Sequence, residues 1–167
     1  MTALRCTQKL LAVLKVAPSK QVMPELCTNR LGDWSLNLLH TRPKLVVAVC
    51  EYGRLGLVLK ATPYATLPQR FVQAVNNQLL AISVPSTLAQ LECDAMLPLA
   101  ITPTILYANR LSLQANLKEY AWLVEVYMSE RESSLSVINA RLAETIVGIN
   151  GKLDFPQKFV LRKLLDS

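Results

Sequence analysis

Between Asp33 and Lys60 the chain passes through three short apolar runs, Trp34–Leu39, Leu45–Cys50 and Leu55–Lys60. They are separated only by Arg42-Pro43-Lys44 and Tyr52-Gly53-Arg54. Runs this short, joined by tight Pro or Gly connections, predict an antiparallel meander. The middle run, Leu-Val-Val-Ala-Val-Cys, is apolar without alternation, as expected of a central strand covered on both faces. In the first run Trp34, Leu36 and Leu38 share one face, while Ser35 and Asn37 share the other.

The rest of the chain supplies elements to cover this sheet. Thr2–Thr7 reads as a short strand. Gln8–Val16 reads as a helix with Leu10, Leu11 and Leu14 on one stripe and Thr7 as its cap. Residues 17–32, with Pro18, Pro24 and Gly32, read as a connection, mobile or ordered by a partner. After Pro63 the period changes. Thr66-Leu67-Pro68-Gln69 opens a helix whose Leu67, Phe71, Val75 and Leu79 recur at four, and Pro85-Ser86 opens a shorter one through Leu97. Pro98 and Pro103 make Leu99–Tyr107 extended, a fourth strand at a sheet edge. Ser112 caps a helix to Met128 with Leu113, Leu117, Tyr120, Ala121 and Val124 inward. Ser133-Ser134 caps another with Leu135, Ile138, Leu142 and Ile146 inward, stopped by Gly148 and Gly151. Residues 152–167 form a C-terminal helix or tail. The expectation is a single α+β domain over 1–167, a small antiparallel meander of three to four strands packed with four to six helices.

Several segments resemble a family of small bacterial domains. Leu4-Arg5-Cys6-Thr7-Gln8-Lys9-Leu10-Leu11 resembles its opening, and Asp33-Trp34-Ser35-Leu36-Asn37-Leu38-Leu39 its Asp-Trp-x-x-Asn-Leu-Leu signature. Ala65–Phe71 followed by Val84-Pro85 is similar to its central helix. Ala108-Asn109-Arg110 leading to Glu119-Tyr120-Ala121 is similar to its Asn/Asp-Arg followed by Asn-Asp-Phe-Ala, and Leu142-Ala143-Glu144-Thr145 also fits. The likeness spans Leu4 to Thr145. It departs at Lys118, where the family carries Asn, at Leu111, where Ser is common, and by one extra residue between Arg110 and Glu119. The family has no assigned activity, so the resemblance implies a fold and no chemistry.

The residues themselves exclude several kinds of chemistry. His40 is the one histidine, beside a turn, which argues against a two-histidine metal site and fits a strand-end surface residue. The four cysteines, at 6, 27, 50 and 93, form no Cys-x-x-Cys pair, and Cys6 and Cys50 fall in apolar runs as small core residues. The glycines form neither a phosphate loop nor a dinucleotide fingerprint, and no Gly-x-Ser-x-Gly elbow is present. Glu92 and Asp94 are two apart and face different ways on a helix. No cofactor is expected.

Two polar constellations remain. Asn109, Arg110, Lys118 and Glu119 gather around the start of a helix, with Trp34 and Asn37 on the meander. An arginine before a helix N-terminus can hold an anion with the exposed backbone N–H groups. The same residues also fit a structural ion pair of Arg110 with Glu119 that pins helix to sheet. The second constellation is basic: Arg42 and Lys44 at one end of the meander, Arg30 and Arg54 at the other near Asp33 and Glu51. Trp34 and Tyr52 are its only candidate stacking rings.

Charge and polarity frame the function. Residues 1–60 carry nine Lys/Arg against three Asp/Glu, a footprint for nucleic acid or an acidic protein, or simply solvated strand ends. Apolar residues make up 51% and charged ones 18%, below the usual ~25%, so apolar surface is expected to meet a partner. No apolar run reaches the ~20 residues of a membrane span, and the opening residues lack the layout of a secretory signal, which implies the cytoplasm. The expected function is a non-enzymatic binding or regulatory module acting through a protein partner or self-association. The alternatives are a nucleic-acid-binding protein, or an enzyme on a phosphorylated or nucleic-acid substrate using Arg110 and Glu119.

Overall fold

The computed structural model describes residues 1–15, 28–104, 111–130 and 134–166. The meander is present as β2 (Trp34–Leu39), β3 (Leu45–Cys50) and β4 (Gly56–Lys60), paired antiparallel in sequence order. β1 (Thr2–Cys6) and β5 (Leu99–Pro103) extend it to a five-stranded sheet of order β4-β3-β2-β1-β5. Both added pairings, β1 with β2 and β1 with β5, are parallel. The α+β architecture is therefore as expected, but the sheet is mixed and β1 lies inside it. β5 is an edge strand, as β4 is on the other side, and the part of its expected span beyond Thr104 lies outside the described residues.

The central position of β3 follows from its composition. Val46, Ala48 and Cys50 enter one apolar layer, and Leu45, Val47 and Val49 enter the other. The first layer is covered by α1 (Gln8–Leu14), α2 (Leu67–Ala81) and α3 (Ser86–Met96), the second by α4 (Leu111–Met128) and α5 (Leu135–Ala143). In the first layer Trp34 is 0% exposed and meets Phe71 of α2 edge-on, ring centroids 5.3 Å apart. Such a pair contributes about 0.5–1.5 kcal/mol beyond its buried area. α6 (Pro156–Leu165) closes one end of the sheet, inserting Val160 and Leu164 into the first layer.

The exposed edge of β4 is blunted by a side chain. The Asn139 amide accepts from the Val58 N–H at 2.7 Å and donates to the Val58 carbonyl at 3.2 Å, taking the place of a neighbouring strand. Gln78 of α2 donates to the Gly56 and Asn139 carbonyls at 3.2 and 2.9 Å, tying α2, β4 and α5 together.

Several local expectations are corrected. Ser112 lies inside α4 and does not cap it. Ile146 is exposed, because α5 ends at Ala143 and residues 147–154 form a hairpin. Its strands β6 (Val147–Ile149) and β7 (Lys152–Asp154) turn at Asn150-Gly151, both with positive φ, the dipeptide favoured in a two-residue turn. Thr7 and Thr66 make no side-chain cap, whereas Ser134 accepts from the Val137 N–H as a cap should. The expected connection 17–32 is described only from Thr28. There Glu92 of α3, buried, accepts from Asn29 Nδ2 and from the backbone N–H groups of Arg30 and Leu31 at 2.9–3.0 Å, which docks the segment firmly.

Candidate functional site

Of the first polar constellation, the described residues Trp34, Asn37, Lys118 and Glu119 stand in different places. Asn109 and Arg110 lie outside the described residues. Trp34 is core, on the α2 face of the sheet, so it is not available to a surface site. Asn37 points to the opposite face, where its Oδ1 accepts from the Thr7 hydroxyl at 2.9 Å. Lys118 and Glu119 both lie on the exposed side of α4. Glu119 borders a shallow cleft shared with Tyr127, Arg141, Ile146 and Phe155, in which Arg141 pairs with Glu130 and stacks on Tyr127.

The basic residues do sit at the two ends of the meander. Arg42 and Lys44 are exposed in one turn. At the other end the backbone bonds Glu51 N–H to Asp33 carbonyl and Tyr52 N–H to Leu31 carbonyl bring the strand ends together. There Arg30 is exposed and donates to the Leu164 carbonyl at 3.1 Å, which anchors the C-terminal turn of α6. Arg54 is half-buried and its carbonyl accepts from the Tyr120 hydroxyl at 2.7 Å. Burial pushes the Tyr120 hydroxyl well above the ordinary phenol range.

α6, where the sequence predicts a C-terminal helix or tail, adds a cationic group. Lys163 lies 5.0 Å from the Tyr52 ring, Arg162 5.1 Å from Phe159 and Lys158 5.5 Å from Phe155. Arg162 also bridges to Asp154 at 3.1 Å. The Phe155 N–H, and then Arg162, hold the Asp154 carboxyl below its usual range. The spacing of these cations at 158, 162 and 163 was legible. The ring beneath Lys163, contributed by the distant Tyr52, was not.

The outer side of α4 leaves apolar side chains exposed. Its inner stripe, Leu113, Leu117, Tyr120 and Val124, is buried as expected. Yet Trp122 is 62% exposed, Leu111 60% and Val126 37%, with Ala115 exposed on the same side. At 100° per residue these four fall within one arc, flanked on one border by Lys118 and Glu125. A tryptophan left in water on an ordered helix is the kind of anchor that protein interfaces bury.

Among the described residues no three His, Cys, Asp or Glu side chains gather as a metal group, and no helix is long and apolar enough to cross a membrane. Cys6, Cys50 and Cys93 are buried and free. Burial pushes the Cys6 and Cys50 thiols up to about 12 and Cys93 to about 11, so none is a nucleophile near neutral pH.

No curated protein and no solved structure matches the chain. A family model described as a domain of unknown function, DUF6933, matches residues 3–158, which takes in the five-stranded sheet except Thr2, takes in α1 to α5 and reaches into α6. On that match, and with the segments around Arg5, Trp34 and Phe71 all at the centre of the fold, the chain belongs to the DUF6933 family of domains of unknown function.

Proposed function

We propose that this domain is a non-enzymatic binding module of the cytoplasm that acts by pairing with a second copy of itself through the outer face of α4. The observation that carries the reading is the apolar arc of Leu111, Ala115, Trp122 and Val126 on that helix. A second copy is favoured as the occupant by charge. Lys118 and Glu125 are one heptad apart on the same border of the arc. Laid antiparallel about a two-fold axis near Trp122, each copy sets its Lys118 against the Glu125 of the other, twice per dimer. The arc is small, so the interface belongs at the low end of specific interfaces.

The nucleic-acid reading draws on the cations of α6 and Arg30. It is weaker, because the rings beside those cations already carry Lys158, Arg162 and Lys163 and do not offer free faces for base stacking. Light scattering on the sized protein separates the two. Self-association that persists as salt rises, and is abolished by Trp122→Glu with the fold intact, is expected. A strict monomer whose binding to single-stranded nucleic acid weakens steeply with salt would replace this reading with the other.

A further inference from the structure

The β6–β7 hairpin and α6 present one open face that the sheet does not use. Arg30, Phe159, Arg162 and Lys163 border one shallow hollow, and Lys152, Leu153, Phe159 and Arg162 border the next. Phe159 and Arg162 belong to both, so the surface is continuous from β7 to the end of α6. Lys158, Arg162 and Leu165 follow one another at four and three residues and stand on one stripe of α6, opposite the buried Pro156, Val160 and Leu164. With Lys152, Lys163 and Arg30 the face holds five exposed cations. Its two carboxylates are Asp154, which pairs with Arg162, and Asp166. Apolar groups accompany the charges: Leu153 is 77% exposed, Leu165 51% and Tyr52, beneath Lys163, 50%.

The end of the helix accounts for part of this charge. Arg162 and Lys163 stand in the last turn of α6, where cations offset the partial negative charge of the C-terminus. Lys158 stands in the first turn, where the same dipole opposes a cation, and Lys152 lies outside the helix. Neither has a reason of this kind, nor have the leucines left in water beside them. Cations, aromatic rings and unshielded leucines on one face match the headgroup layer of an anionic bilayer. There basic groups meet negative headgroups, rings sit at the interface and leucines reach the acyl boundary. Nucleic acid fits less well, because cations already cover the rings. An acidic protein would answer the charges, but Leu153 precedes α6 and Leu165 ends it. Apolar groups at opposite ends of a helix about 15 Å long suit a broad, planar acceptor.

We propose that α6 and the β6–β7 hairpin form a peripheral docking face for an anionic lipid bilayer. α6 lies along the headgroup layer, and Leu153 and Leu165 enter it. The helix stays packed on the sheet through Val160 and Leu164, so binding is reversible and leaves the fold unchanged. The face shares no residue with the apolar arc of α4, so the two readings stand or fall separately.

The test is co-sedimentation of the full chain with vesicles of phosphatidylcholine alone and of phosphatidylcholine mixed equally with phosphatidylserine. Pelleting with the mixed vesicles only, reversed as salt rises, is expected. Lys158→Glu with Lys163→Glu should weaken the partition by more than about tenfold. Leu153→Ser with Leu165→Ser, which leaves the charge unchanged, should weaken it by about tenfold. All four side chains are exposed, so both variants keep the fold, as circular dichroism will check. The proposal is overturned by no pelleting with the mixed vesicles, or by equal pelleting with both kinds. It is equally overturned if the leucine variant partitions as the unsubstituted protein does. Binding of polyglutamate without binding of vesicles would assign the cations to an acidic protein instead.

Discussion

At the scale of single residues, the fold depends on polar groups buried with full sets of partners. Glu92 is the clearest case: three N–H donors converge on its carboxylate and fix residues 29–31 against α3. Glu92→Ala leaves those donors unbonded, and a loss of about 2–4 kcal/mol is expected in urea unfolding. The thiols give a test by pH. Cys6 and Cys50 titrate near 9 when unfolded and near 12 when folded, so the folded state holds their protons more tightly. Their contribution is full below pH 9 and is lost as pH rises through that range toward 12. Native protein at pH 8 should accordingly resist iodoacetamide at Cys6, Cys50 and Cys93, and label them only on unfolding. Rapid native labelling would show that these side chains are not enclosed. Trp34 shows what a residue alone does not reveal. Its alternation with Ser35 was readable, but whether a tryptophan on a strand meets solvent or Phe71 depends on a helix more than thirty residues away.

At the scale of elements, what the sequence disclosed is what local periodicity encodes. The three meander strands, the α2 stripe of Leu67, Phe71, Val75 and Leu79, and the inner stripe of α4 all lie where spacing placed them. Pairings between distant segments were not readable: β1 beside β5 joins residues 97 positions apart, and only that pairing puts Arg5 in register with Thr102. The β6–β7 hairpin was readable in principle through Asn150-Gly151, but the flanking runs are only three residues long. α6 docks through a different kind of dependence. Gly53 sits at φ +95°, and an alanine Cβ there would lie 2.6 Å from Val160 Cγ2. Gly53→Ala is expected to cost about 1–3 kcal/mol and to raise hydrogen exchange across α6 selectively. Uniform destabilisation, with α6 exchange unchanged relative to the sheet, would show that this turn does not hold the helix.

At the scale of the whole molecule, the low charge content finds two outlets. Most apolar side chains enter the two layers around β3, and part of the remainder gathers on α4 about Trp122. An isologous pairing there makes a specific demand on charge. Lys118→Glu alone or Glu125→Lys alone sets like charges against each other at both ends of the dimer. Together in one mixture, the two variants restore opposite charges in a mixed dimer. The most direct measurement is sedimentation equilibrium of each variant separately and of their equimolar mixture. Monomers for each variant alone and dimers in the mixture are expected. Two variants that associate like the unsubstituted protein, or a mixture that stays monomeric, would contradict self-pairing through α4.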